Sequence, residues 1–270
     1  MALERDPQID SQFTLDMVGD LPALFARRER AAKQARADYA GRTLAYGPGA
    51  DHRVTVYPAH RAEAPAFVFI HGGFWKSLDA ALFAFLAPGF VPAGVTLVLV
   101  DYPKMPHNRM ASLVEASLAA VARVQQDCAA IGIDPARVLV GGNSAGGHLA
   151  AEVMLRHTGT PLGGTVAISG LYDLAPVARS FQNDDLALTA EEVAAFSPIT
   201  RARRVGPPPL VAVGGRETVE FLNQSDAFAR ACGTTATVVP DTDHITILLD
   251  ALAVPGHALN IEVLRRLAHS

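Results

Sequence analysis

The stretch Arg137-Val138-Leu139-Val140-Gly141-Gly142-Asn143-Ser144-Ala145-Gly146-Gly147-His148-Leu149 decides how this chain is read. Its first four residues are a β-branched apolar run of strand length, and Gly147 to Leu155 reads as a helix. Between them lies Gly-x-Ser-x-Gly. A serine at so sharp a strand-to-helix turn takes a strained backbone conformation, costing on the order of 1–3 kcal/mol. The residues two positions either side must be small, so that strand and helix can approach. Gly142 and Gly146 meet that need, and Ala145 can turn its N–H towards a reacting carbonyl. Such a turn presents Ser144 as a nucleophile. A plain Gly/Ser-rich surface turn would carry the same letters, so the rest of the chain must separate the two.

Upstream, Ala66-Phe67-Val68-Phe69-Ile70 is continuous and apolar, as a strand buried on both faces should be. Arg53 to Tyr57 alternates like an outer strand, and Val95 to Val100 forms another buried one. Asn108 to Ile131 reads as one long helix with Gly132 stopping it. Leu21 to Tyr39 is a charged, Ala-rich helix with a thin apolar stripe, expected on the surface or over a pocket. Downstream come strands at Thr165–Ser169 and Thr235–Val239, and Leu210 to Gly215 reads as a strand and then a turn. Phe221 to Cys232 is an amphipathic helix, and the tail is helical apart from a break at Pro255-Gly256. Strand and helix alternate, which predicts an α/β fold: a mostly parallel central sheet with helices on both faces. One domain over 1–270 is expected, with 1–43 a helical extension. Residues 171–206 lack strand character and form a small helical cap.

Half of the 270 residues are hydrophobic and 19% are charged, so a sizeable core is expected. The net charge of −4 comes with no dense basic cluster, which argues against nucleic acid as a partner. Arg201-Ala202-Arg203-Arg204 reads as a solvated loop. Cys128 and Cys232 share no CxxC spacing and read as small buried hydrophobes in a reducing compartment. Ala81 to Val100 is twenty residues without a charge, long enough for a bilayer. Pro88, Gly89, Pro92 and Gly94 break it, however, so a helix end and a buried strand are expected there. With no apolar run behind Glu4, Arg5 and Asp6, a cytoplasmic protein free of the membrane is expected. A homodimer is the candidate assembly.

In a sheet of this kind the reactive groups stand where strands end. His71-Gly72-Gly73 follows a central strand, and its glycines let backbone N–H groups turn inward beside that of Ala145 as an oxyanion hole. Glu217 follows Val213-Gly214-Gly215-Arg216, where a carboxylate can hold an imidazole in its useful tautomer. Glu220 and Asp243 are rivals for that role. His244, in the loop after the last strand, is the histidine of nine placed as the base; His148 faces helix packing. The order Ser144, Glu217, His244 is nucleophile, acid, base. No metal-ligand or nucleotide-binding spacing appears, and a serine mechanism needs no cofactor.

These residues together resemble the arylformamidase (kynurenine formamidase) branch of the α/β-hydrolases, from about Leu44 onward. The resemblance rests on His71-Gly72-Gly73-Phe74-Trp75, on Ser144-Ala145-Gly146-Gly147-His148-Leu149 and on Gly170-Leu171-Tyr172-Asp173-Leu174. Asn183-Asp184, Ser197-Pro198 and Gly215-Arg216-Glu217 are similar too. Related lipase-like esterases usually carry a third glycine where this chain has Phe74. The resemblance implies the α/β-hydrolase fold and hydrolysis of a small-molecule substrate, N-formylkynurenine, to kynurenine and formate without a cofactor. Carboxylesterase or other amidase action is the alternative. Phe74 and Trp75 would line the substrate pocket. Glu217 departs from the family, where aspartate is common, and its extra methylene must be accommodated.

Overall fold

The computed structural model describes residues 4–203 and 206–269. Eight strands form one sheet: β1 (Arg42–Ala45), β2 (Arg53–Tyr57), β3 (Ala64–Ile70), β4 (Thr96–Val100), β5 (Ile133–Asn143), β6 (Gly164–Ile168), β7 (Leu210–Gly214) and β8 (Thr237–Val239). Their order is β1-β2-β4-β3-β5-β6-β7-β8. β2 runs antiparallel to β1 and β4, and every other pairing is parallel. All the parallel strands therefore end on one edge of the sheet.

The central strands are apolar on both sides because both sides are covered. Along β3, Ala66, Val68 and Ile70 enter one core, and Phe67 and Phe69 enter the other. β4 divides the same way, with Val98 and Val100 on one face and Leu97 and Leu99 on the other. This is the period-2 alternation of a strand sandwiched between helices. The first face receives Leu113, Val121 and Val124 of the helix Met110–Gln126, with Leu149 and Val153 of the helix Ala145–Arg156. The second receives Phe83 and Phe90, then Val263 and Leu267 of the helix Ala258–His269.

Several boundaries differ from expectation. The long helix ends at Gln126, Asp127 turns out of helical geometry, and a separate turn Cys128–Ile131 runs to Gly132, left-handed at φ 84°. The last strand begins at Thr237 rather than Thr235. β1 was not foreseen, and it falls across the edge of the expected 1–43 extension. Its Arg42, Thr43 and Ala45 are exposed, so no apolar alternation marks it. Residues 80–93 are short helical turns leading into β4, and among the described residues no helix is long and apolar enough to cross a membrane. Residues 171–206 carry the short helices Leu174–Ala178, Asn183–Leu186 and Ala190–Phe196 and no strand among the described residues. Arg201 is no solvated loop residue: it pairs with Glu152, whose side chain is fully buried and also bonds Arg156. Arg204 lies outside the described residues.

Candidate active site

Ser144 stands at the end of β5 with φ 58° and ψ −124°, in the strained turn its neighbours imply. Its N–H donates to the Ile168 carbonyl at 2.9 Å, tying the turn to β6. A Cβ on Gly146 would lie 2.0 Å from the Ile70 carbonyl oxygen, and one on Gly142 would lie 2.3 Å from that of Gly146. No other residue type fits either place without moving backbone.

His244 follows β8 in the loop Asp241–His244. Its Nδ1 is 2.6 Å from Glu217 Oε2, and both side chains are buried. Glu217 Oε1 accepts from Ser169 Oγ at 2.5 Å and from the Gly214 N–H at 2.8 Å. The longer glutamate is thus accommodated by folding back onto the end of its own strand. Phe221 packs on the imidazole, with ring centroids 4.5 Å apart. Neither rival reaches His244. Glu220 accepts from Gln224 Nε2 at 2.7 Å, and Asp243 Oδ1 caps the N–H groups of Ile245 and Thr246 at 2.8 Å each.

Ser144 and His244 both line a cavity of about 430 Å³ at the strand ends, together with Gly72, Gly73 and Phe74. No hydrogen bond joins Ser144 Oγ to His244 here; such bonds are often long until substrate is bound. A Cβ on Gly72 would sit 3.0 Å from Ser144 Cβ, so that loop lies against the serine. Among the described residues, the N–H groups of Gly72, Gly73 and Ala145 donate to no other group of the protein. The loop is held by His71, whose ring nitrogens face the Gly72 carbonyl at 2.6 Å and Asp101 Oδ1 at 3.2 Å. Burial alone would raise the Asp101 pKa, but His71 and Lys104 outweigh it and hold the carboxyl below its ordinary value.

One expected pocket residue is misplaced. Phe74 lines the cavity, but Trp75 is wholly buried behind it. Trp75 Nε1 donates to His148 Nδ1 at 3.2 Å, which turns the indole away from the cavity. That bond makes Nδ1 an acceptor, so Nε2 carries the proton and donates to the Phe196 carbonyl at 2.8 Å. His148 is the packing residue expected. Burial lowers its pKa, with the opposing pull of Glu152 smaller, which agrees with that neutral tautomer.

Two side chains and one short segment had no signal in the sequence. Ser169 steadies Glu217, and Asn143 lines the cavity with its Nδ2 buried and unpaired among the described residues. The segment is residues 12–15, ahead of the helix that the sequence placed on the surface or over a pocket. Gln12 accepts from Thr218 Oγ1 and from the Glu220 N–H, and Phe13 packs edge-on against Phe74 and Phe221. Phe13, Thr14 and Leu15, with Phe25 and Arg28 of the following helix, form a wall of the cavity.

A family model described as the alpha/beta hydrolase fold matches residues 67–231. The chain belongs to the α/β-hydrolase fold family. The matched segment holds Ser144 and Glu217, and His244 follows it. This α/β-hydrolase is 29% identical over 221 residues to a kynurenine formamidase of Salmo salar, covering 75% of this chain and 74% of that one. The resemblance drawn from Phe74-Trp75 and the Ser144 turn is borne out. A carboxylesterase of Mycobacterium tuberculosis is 35% identical over 126 residues, 44% of this chain and 39% of its own. A solved structure from Silicibacter sp. TM1040, described as a candidate thioesterase, superposes with a TM-score of 0.85 at 25% identity. It covers 95% of this chain and 98% of that one. The protein is a hydrolase of the α/β-hydrolase superfamily.

Proposed function

We propose that this hydrolase cleaves an aryl formamide such as N-formylkynurenine, with Ser144 as nucleophile, His244 as base and Glu217 as the acid that orients it. The observation that carries the reading is the Glu217–His244 bond of 2.6 Å, beside a strained Ser144, on a cavity walled by aromatic side chains. The similarity to the salmon kynurenine formamidase supports a formyl amide as the bond cleaved. His244 Nε2 takes the Ser144 hydroxyl proton as Oγ attacks the formyl carbon. The oxyanion is held by backbone N–H groups of Gly72 or Gly73 and of Ala145. The C–N bond then breaks and the arylamine leaves with the proton from His244. Water, giving a proton back to His244, attacks the formyl ester on Ser144; formate departs and the serine recovers its proton. Glu217 stays ionised throughout and stabilises the imidazolium.

Carboxylester hydrolysis is the second reading, favoured by the similarity to the mycobacterial carboxylesterase. Turnover of N-formylkynurenine against short p-nitrophenyl esters separates the two: a kcat/KM higher for the esters by tenfold or more makes this an esterase. Ser144→Ala is expected to fold as the wild type does and to lose roughly 10⁴–10⁶ in kcat on either substrate. A variant keeping a tenth of the activity would remove Ser144 from the chemistry.

A further inference from the structure

We infer that Arg28, on the N-terminal helix Leu21–Asp38, is the specificity residue that receives a carboxylate on the substrate. The inference deepens the formamidase reading and rests on it for the scaffold of the test compounds. The charges of the cavity wall point to it. Among the described residues, two charged side chains line the cavity, Arg28 and Lys76, along with His244, and no carboxylate does. Lys76 is already engaged, 2.5 Å from Asp185. Arg28 is not: among the described residues its guanidinium has no hydrogen-bond or ion-pair partner, and its Nε is buried and unsatisfied.

Arg28 is half-buried, and a cation drawn part-way out of water without a partner is disfavoured. Here the guanidinium carbon lies 4.9 Å from the centre of the Phe25 ring and 5.8 Å from that of Phe83, and both rings also line the cavity. Aromatic faces stabilise a cation only modestly, and they leave its N–H donors unused. Burial lowers the Arg28 pKa, offset in part by the charges of Asp79 and Glu29, yet neither acid comes within ion-pair distance. What remains is a planar fork of donors, held by two rings on the wall of an apolar cavity that Ser144 also lines. A carboxylate matches that fork in shape and sign, and two parallel charge-assisted bonds form when it docks. The substrate is then an aromatic formamide whose far end is anionic: Ser144 meets the formyl group while Arg28 holds the acid.

The test pair is 4-(2-formamidophenyl)-4-oxobutanoate and its primary carboxamide, which match in size and shape but exchange an anionic oxygen for a neutral NH2 group. The wild type is expected to prefer the acid by roughly 10–100-fold in kcat/KM, carried mostly by KM, as hydrogen bonds to a charged group imply. In Arg28→Gln that ratio falls towards one. In Arg28→Lys, which keeps charge but not the fork, it is intermediate. Because the ratio is taken within one variant, a partial folding defect cancels. A wild-type ratio near one, or an unchanged ratio in Arg28→Gln, overturns the inference. Calorimetric binding of the deformylated acid and its carboxamide gives the same ratio without turnover. A chain that binds the acid selectively through Arg28 but hydrolyses only esters would sink the formamidase reading and leave Arg28 standing.

Discussion

Glu217 uses its two carboxylate oxygens for different ends. Oε1 is committed to Ser169 Oγ and the Gly214 N–H, which leaves Oε2 facing His244 Nδ1. A carboxylate fixed at three points cannot swing away, and in the proposed mechanism it supplies orientation and charge together. Glu217→Gln keeps the shape but spoils the histidine tautomer, and a fall of about 10⁴ in kcat is expected. Ser169→Ala removes one supporting bond to a charged group, worth about 1.5–3 kcal/mol where fully expressed. A loss of roughly 10–100-fold in kcat with KM retained is expected. Steady-state kinetics of both variants check this; a Ser169→Ala enzyme indistinguishable from wild type would show that the Gly214 N–H alone positions the acid. The strand-end rule was enough to find Glu217, because Gly214-Gly215 marks a turn after an apolar run. It could not find Ser169 or Asn143. A polar residue at a strand end carries no pattern, and its use depends on which strand lies beside it.

At the scale of elements, the strand–turn–helix unit around Ser144 is held by approach rather than by side-chain contact. The helix Ala145–Arg156 begins so close to β3 that Gly146 has no room for a methyl group: its Cβ would stand 2.0 Å from a backbone oxygen. Relief requires β3 or the helix to shift, and overpacking a dense core costs typically 1–3 kcal/mol, occasionally more. Gly146→Ala is expected to lower Tm by roughly 6–12 °C, the span for about 3 kcal/mol in a domain of this size, and to abolish activity. Gly19→Ala is the control, since a Cβ there meets nothing within 4 Å. Its stability should stay within about 0.5 kcal/mol of wild type. Equal melting curves for the two variants would refute the steric account. The central strands were legible because burial on both faces forces continuous apolar runs, as in Phe67-Val68-Phe69. β1 was not, because an exposed edge strand needs only a partner, and β2 supplies it.

On the scale of the whole molecule, His148 joins three parts of the chain that are far apart in sequence. It sits on the Ser144 helix, accepts from Trp75 beside the Gly72-Gly73 loop and donates to Phe196 of the helix Ala190–Phe196. An indole beside His-Gly-Gly has the sequence signature of a pocket residue, but the Trp75 N–H finds a buried acceptor behind the loop. The network needs a neutral imidazole, because a proton on Nδ1 would face the Trp75 N–H. Burial accordingly lowers the His148 pKa below the ordinary 6.5. The sign follows from linkage. Below pH 6.5 the unfolded chain takes up a proton that the folded chain refuses, so stability from this site is present above 6.5 and lost as pH falls towards the folded value. The slope approaches about 1.4 kcal/mol per pH unit for one proton. His148→Gln removes the titration while keeping a donor and an acceptor, at the cost of poorer packing. Urea denaturation at pH 7.5 and 5.5 should show the wild type losing more stability between the two than the variant. Parallel losses would mean that His148 accepts its proton without breaking the link between Trp75, the Ser144 helix and Phe196.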